Sequence, residues 1–155
     1  ESRGLGDVYK RQTTDIGILM AMLNYGTQVD ILKGNLLGYK GAIFENLMAD
    51  FLCKSGQKLY YFHKDSGLEL DFLVRFKGEC VILEVKAKAG KAKSMATVLK
   101  NRDVYHVNNA IKLGQYNVGR EENILTIPLY MGFLIQDKLT DAIIPEVDLS
   151  LLNTI

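Results

Sequence analysis

Apolar residues recur along this chain with two different periods. In GAIFENLMADFLCKSG (residues 41–56), Ile43, Phe44, Leu47, Met48, Phe51 and Leu52 fall three, four, seven or eight positions apart. That spacing predicts an amphipathic helix, with Gly56 as the glycine that ends it. The next three runs, KLYYFHK (58–64), LELDFLVRF (68–76) and CVILEVKA (80–87), are rich in aromatic and β-branched residues and are separated by DSG and KGE. They predict three strands. KSMATVLKNRDVYHV (93–107) predicts a second helix and AIKLGQYNV (110–118) a further strand. ILTIPLYMGFLI (124–135) is strand or helix, changing at Pro128. Before all of these, DIGILMAMLN (15–24) has helical spacing, and TQVDILKGNLLGYKG (27–41) reads as a polar connector punctuated by glycine. The predicted class is α/β (α+β), in the order αβββαβ, with a mixed central sheet flanked by helices.

Two of the strands carry charges where a half-buried strand should keep one face clean. A two-residue loop at Lys77-Gly78 would set the register, with Phe76 opposite Glu79, Val74 opposite Val81, Asp71 opposite Glu84 and Glu69 opposite Lys86. A four-residue loop gives the same pairing, and a three-residue loop would slip it by one. Alternation then places Leu70, Phe72, Val74, Phe76, Val81, Leu83, Val85 and Ala87 on one face, to be covered by a helix. The opposite face carries Glu69, Asp71, Leu73, Arg75, Cys80, Ile82, Glu84 and Lys86. Three carboxylates and an ammonium collect at one end of this hairpin.

Opposed carboxylates such as Asp71 and Glu84 repel unless a cation lies between or beside them. Lys86 supplies one such cation, and a hard divalent ion, Mg²⁺ or Mn²⁺, is another. Carboxylates, a divalent ion and a nearby lysine form a hydrolytic constellation, because the ion activates water and the ammonium stabilises developing negative charge. The plainer alternative is a set of solvated strand charges on an exposed face.

The same residues carry a family resemblance. An acidic residue on one strand, a turn and E-x-K on the next, here Glu84-Val85-Lys86, resemble the PD-(D/E)xK restriction-endonuclease-like core. In order, DIGIL, GAIFENLMADFL, ELDFLV, ILEVKA and IPLYMGFL over about residues 13–136 resemble the domain of unknown function DUF4143. That domain lies at the C-terminus of bacterial and archaeal AAA+ ATP-binding proteins. The resemblance implies Asp71 and Glu84 as metal ligands, Lys86 as the catalytic lysine and Glu45 as the acidic helix residue that completes the site. Leu70 stands before Asp71 where the nuclease motif has proline. The implied function is metal-dependent phosphodiester hydrolysis. The alternative is a non-catalytic module that binds nucleic acid or protein and docks on the ATPase part.

Composition narrows the remaining choices. The 155 residues are 48% hydrophobic and 24% charged, with a formal net charge of +1, so no bulk field selects a partner. Locally, Lys86, Lys88, Lys91, Lys93, Lys100 and Arg102 precede the next acid, Asp103. Lys88, Lys91 and Lys93 are therefore candidates for phosphate contact, against the alternative of a solvated loop and helix face. His63 and His106 have no partners at zinc spacing. Tyr60, Tyr61 and Phe62 could stack on bases but read better as a core strand. No phosphate loop G-x-x-x-x-G-K-[ST] is present, so no ATP site is expected in this chain.

Cys53 and Cys80 are expected to be buried reduced thiols of a cytoplasmic protein. No apolar run reaches the roughly 18 residues of a membrane span. ESRGLGDVYKRQ (1–12) lacks period and contains LGDVYKRQ, which resembles translated adapter sequence, so it is expected to be foreign to the fold. The organisation then reads as a leader (1–12), an N-terminal helix and connector (13–40), a main domain (41–136) and a tail (137–155), with an ATPase part expected upstream.

Overall fold

A computed structural model describes residues 13–35, 39–87 and 90–135. The expected leader, the expected tail and Lys88 lie outside the described residues. The chain forms α1 (Ile16–Met22), α2 (Thr27–Leu32), α3 (Lys40–Lys54), β1 (Tyr60–His63), β2 (Glu69–Phe76) and β3 (Glu79–Lys86). It continues through α4 (Lys93–Lys100), α5 (Arg102–Tyr105), β4 (Asn109–Gly114), β5 (Gly119–Glu121), β6 (Ile124–Pro128) and a 3-10 helix, Leu129–Leu134. The six strands make one mixed sheet in the order β1-β2-β3-β4-β6-β5. The β3–β4 and β4–β6 pairs are parallel and the others antiparallel.

The helix ends follow local chemistry. Gly56 has φ +81°. Its N–H donates to the Cys53 carbonyl at 3.0 Å, and the Gln57 N–H donates to the Leu52 carbonyl at 2.9 Å. These two bonds are the Schellman pair that satisfies the last carbonyls of α3. The single helix expected over 93–107 is instead broken at Asn101, whose φ of −108° and ψ of 50° leave the helical region. The Asn101 side chain donates to the Thr97 carbonyl at 2.7 Å, offering the backbone a competing partner. Residues 27–32, expected in a connector, form α2, a helix too short to show a period. β5 was likewise not foreseen, since three exposed residues carry no apolar signal.

From the turn to Phe72–Leu83 the hairpin has the expected register, whereas the expected pairs Asp71–Glu84 and Glu69–Lys86 do not form. Phe76, Arg75, Val74, Leu73 and Phe72 pair with Glu79, Cys80, Val81, Ile82 and Leu83. Lys77 (φ 53°) and Gly78 (φ 76°) are both left-handed, as in a type I′ turn, whose twist matches that of the flanking strands.

Two apolar layers enclose the sheet. On one side Met48, Ala49 and Leu52 of α3 meet Phe72, Val74, Val81, Leu83 and Val85, with Phe44 and Phe51 at the margin. On the other, Met95, Val98 and Leu99 of α4 cover Leu70, Ile82 and Ala110. Two expectations about these faces fail. Leu70 packs beneath α4, opposite to the face alternation assigned it, because Tyr60 pairs with Leu73 and Phe62 with Leu70. One extra residue of β2 is accommodated there, a bulge at Asp71 and Phe72 that reverses the side-chain parity below it. Leu47 belongs to neither layer and instead lines a surface groove with Leu129 and Tyr130.

The cysteines also depart from expectation: Cys53 and Cys80 are free and exposed. Cys53 lies off the buried stripe of α3, and Cys80 pairs with Arg75 near the hairpin turn. β1 is an edge strand rather than a core one, and Tyr60 is 61% exposed. Among the described residues no helix is long and apolar enough to cross a membrane.

Candidate functional site

β2 and β3 stop pairing as a regular ladder at Phe72 and Leu83, so Asp71 and Glu84 are not ladder partners. Beyond that point the Asp71 side chain takes over: its Oδ2 accepts the Val85 N–H at 2.8 Å. A carboxylate thereby replaces a strand carbonyl as acceptor for a buried amide, and the bulge in β2 turns it toward β3. Asp71 is 9% exposed and Glu84 is 4% exposed. The plain reading of these acids as solvated strand charges is therefore excluded for this pair.

Glu84 and Lys86 share a strand face, being two positions apart. The Lys86 Nζ lies 2.5 Å from Glu84 Oε1. Glu84 Oε2 is buried and has no hydrogen-bond partner. An unpartnered buried carboxylate oxygen is costly, on the order of 1–3 kcal/mol or more for a charged group, so it marks a place where a ligand would compensate. Burial pushes the Glu84 carboxyl above its ordinary value, and the nearby charge of Asp71 pushes it the same way, against the pull of Lys86. Lys86 is drawn down by burial, but its hydrogen bond to Glu84 and the charges of Glu84, Asp71 and Glu45 leave it raised overall.

These side chains open onto one cleft of about 390 Å³, lined by Glu45, Glu69, Asp71, Glu84, Lys86, Lys91 and Lys93 together with Gly67 and Ser94. Glu45 comes from α3, Glu69, Asp71, Glu84 and Lys86 from β2 and β3, Lys91 from the segment before α4 and Lys93 from its first residue. Six of the seven residues singled out in the sequence thus meet in space; the seventh, Lys88, lies outside the described residues. Sequence reasoning did not pick out Ser94, whose Oγ accepts from the Glu69 N–H at 3.4 Å. Its only signal was position, at the start of a predicted helix.

The strand behind the cleft is held closely. Gly114 pairs with Lys86 across β3 and β4. A Cβ at Gly114 would stand 2.5 Å from the Lys86 carbonyl oxygen and 2.7 Å from the Tyr116 ring, so only glycine admits this approach. Lys112, the register partner of Glu84, is directed away, donating to the Gly90 carbonyl at 2.8 Å and lying over the Tyr116 ring.

The oxygen-only donors, Glu45, Asp71 and Glu84, suit a hard divalent cation, and the orphaned Glu84 Oε2 is a vacant acceptor among them. Among the described residues, however, no three His, Cys, Asp or Glu side chains are already drawn together to hold a metal ion. Two of the oxygens are committed, one to the Val85 amide and one to Lys86. The donor chemistry fits, although these side chains are not gathered around a common point.

Comparison with known proteins gives one match. The model of a family described as a domain of unknown function, DUF4143, matches residues 40–131, more than half of the 155-residue chain. No curated protein and no solved structure matches. The matched span contains every residue lining the cleft.

Proposed function

The chain belongs to the DUF4143 family, and we propose that its cleft is a PD-(D/E)xK-type site for metal-dependent phosphodiester hydrolysis. The observation that carries this reading is Glu84: a buried carboxylate with one oxygen on Lys86 and the other unpartnered, beside a second buried carboxylate, Asp71. Asp71 and Glu84, with Glu45 from α3, are the residues that would hold Mg²⁺ or Mn²⁺. When bound, such an ion neutralises phosphate charge and lowers the pKa of the attacking water. Lys86 presents its ammonium within the same cleft, where it stabilises negative charge developing on the phosphate oxygens. Lys91 and Lys93 stand on the cleft wall to attract the strand before chemistry. An AAA+ ATPase partner, implied by the sequence resemblance, would deliver or move the nucleic acid.

A second reading, a non-catalytic module that binds nucleic acid or docks on the ATPase part, is favoured by one observation: the carboxylates are not yet gathered for an ion. Thermal shift and cleavage separate the two. Under the hydrolytic reading, millimolar Mg²⁺ or Mn²⁺ raises the melting temperature of the wild type but not of Asp71→Asn. Cleavage of a nucleic-acid substrate then requires the ion and disappears in Lys86→Ala while binding persists. Absence of ion-dependent stabilisation, with or without nucleic acid, together with absence of cleavage, leaves the binding module.

A further inference from the structure

We propose that the stacked rings of Tyr61 and His63 on β1 form a base-stacking platform for single-stranded nucleic acid leading into the cleft. The choice of ligand rests on the phosphodiester reading above. The two rings are parallel, 9° apart in plane and 6.2 Å between centroids. They occupy alternate positions of an edge strand, so they share one face, and His63 is exposed. A buried aromatic strand needs no function, but here the exposed His63 ring, stacked on the half-buried ring of Tyr61, presents a π-surface to solvent at the sheet edge.

Register connects this surface to the acids. His63 pairs directly with Glu69, and directly opposed residues of an antiparallel pair project to the same face. Glu69 lines the cleft with Asp71 and Glu84. A strand whose phosphate lies in the cleft therefore has its neighbouring bases within reach of the His63 ring. Phe62, between the two rings, points the other way into the layer beneath α4 and fixes the strand to the core.

Charge beside the platform has the right sign. Lys64, which follows His63, turns to the opposite face, where its Nζ donates to the Tyr105 hydroxyl at 3.1 Å and lies over the Phe62 and Tyr105 rings, so the cations on offer are those of the cleft. Lys91 and Lys93 stand at the cleft. A cationic cleft that continues into a small aromatic surface is the combination that binds single strands, because the phosphates meet cations while unpaired bases expose ring faces. A duplex keeps those faces stacked on one another and offers the platform nothing.

Fluorescence anisotropy with a labelled oligothymidine, in EDTA so that no divalent ion contributes, tests the platform on the full chain. The wild type is expected to bind the oligothymidine more tightly than a blunt duplex of matched charge. His63→Ala and Tyr61→Leu should each weaken binding by about tenfold, within the range for loss of one stacked base. His63→Phe, which keeps a ring but no ring nitrogen, should bind as the wild type does. His63 is exposed, so the Ala and Phe pair decides the matter even if Tyr61→Leu fails to fold. Equal affinity of His63→Ala and wild type, or no preference of the wild type for the single strand, overturns the platform. Cleavage assayed in parallel with Mn²⁺ keeps the two proposals apart. A strand bound through His63 but never cleaved removes the hydrolytic reading alone. Cleavage with an unchanged KM in His63→Ala removes the platform alone.

Discussion

The β2–β3 hairpin has two unlike ends. At the turn end, five residue pairs from Phe76–Glu79 to Phe72–Leu83 follow one register, and the inward side chains meet α3 in a dry layer. At the open end the ladder stops, a side chain replaces a backbone acceptor, and two carboxylates on neighbouring strands are buried. The turn end obeys the rules that stabilise a sheet: complementary apolar faces, paired amides and a turn of matching twist. The open end breaks those rules in one place, where the bulge at Asp71 lies. Local departures from the rules of stability concentrate where a protein binds or reacts, because the same arrangement would be purely costly elsewhere. The difference between the ends is the main physical reason to look for function at the open one.

The sharpest way to break the turn-end description is Leu83→Asp. Leu83 has no exposed surface and sits at the centre of the layer beneath α3. An unpaired charge there should cost several kcal/mol and abolish the cooperative transition in chemical denaturation. A variant that unfolds at the wild-type midpoint would mean that α3 does not cover this face.

At the open end, Asp71 has two roles that substitutions can separate. Asp71→Ala removes the acceptor of the buried Val85 N–H and should cost about 1–3 kcal/mol, although it also relieves repulsion with Glu84. Asp71→Asn keeps a carbonyl acceptor and removes the charge, so its stability at neutral pH should match or exceed that of the wild type. Equal denaturation midpoints for the two variants would show that the Val85 bond contributes nothing and that only charge matters there.

Acid–base linkage gives a smaller effect with a defined sign. The folded-state value of Glu84 lies above its ordinary 4.5, so the native state holds this proton more tightly than the unfolded chain. Its contribution to stability is therefore fully present below 4.5 and is lost as pH rises through the raised value. Melting temperatures of wild type and Glu84→Gln should diverge in favour of the variant across that window. Lys86, also raised, contributes stability that is present below 10.5 and lost at higher pH as its proton leaves. Parallel curves for wild type and Glu84→Gln on the acid side would place Glu84 in water rather than in the cleft wall.

The smallest expected change returns to the turn. Lys77 holds a left-handed conformation that side chains with a Cβ adopt at a cost, and asparagine tolerates it best. Lys77→Asn should stabilise by less than about 1 kcal/mol, with no effect on the cleft. A destabilised variant would indicate that the Lys77 ammonium, which lies over the Phe76 ring, contributes more than the turn strain removes.

Much of this was legible in the chain. The period of residues 41–56, the Gly56 stop and the hairpin register from the turn to Phe72–Leu83 were fixed by local chemistry, since apolar spacing and a Lys-Gly turn admit few alternatives. The charges at 69, 71, 84 and 86 were visible for the same reason: they interrupt runs that are otherwise apolar. What alternation alone missed was the bulge. Tyr60 and Phe62 are two residues apart, while their partners Leu73 and Leu70 are three apart. Such a mismatch belongs to the pairing of two strands, so neither strand's own pattern contains it. Burial of the cysteines failed similarly, because residue type sets an average preference while the packing of α3 and the position of the turn set the outcome.

The sequence by itself determined β1 to β4, the main helix, most of the face that α3 covers and the identity of the charged residues, because each follows from neighbours along the chain. Only the tertiary structure decided that Glu45 from α3, Lys91 from the segment before α4 and Lys93 from its first residue share a cleft with the hairpin acids. It alone decided that Asp71 serves as a backbone acceptor, that Glu84 keeps one oxygen unpartnered and that β1 lies at an edge with Tyr60 and His63 exposed. Those facts depend on distances between segments far apart in sequence and on how much water each side chain retains. Both are set by packing the layers together, and a list of residues does not contain them.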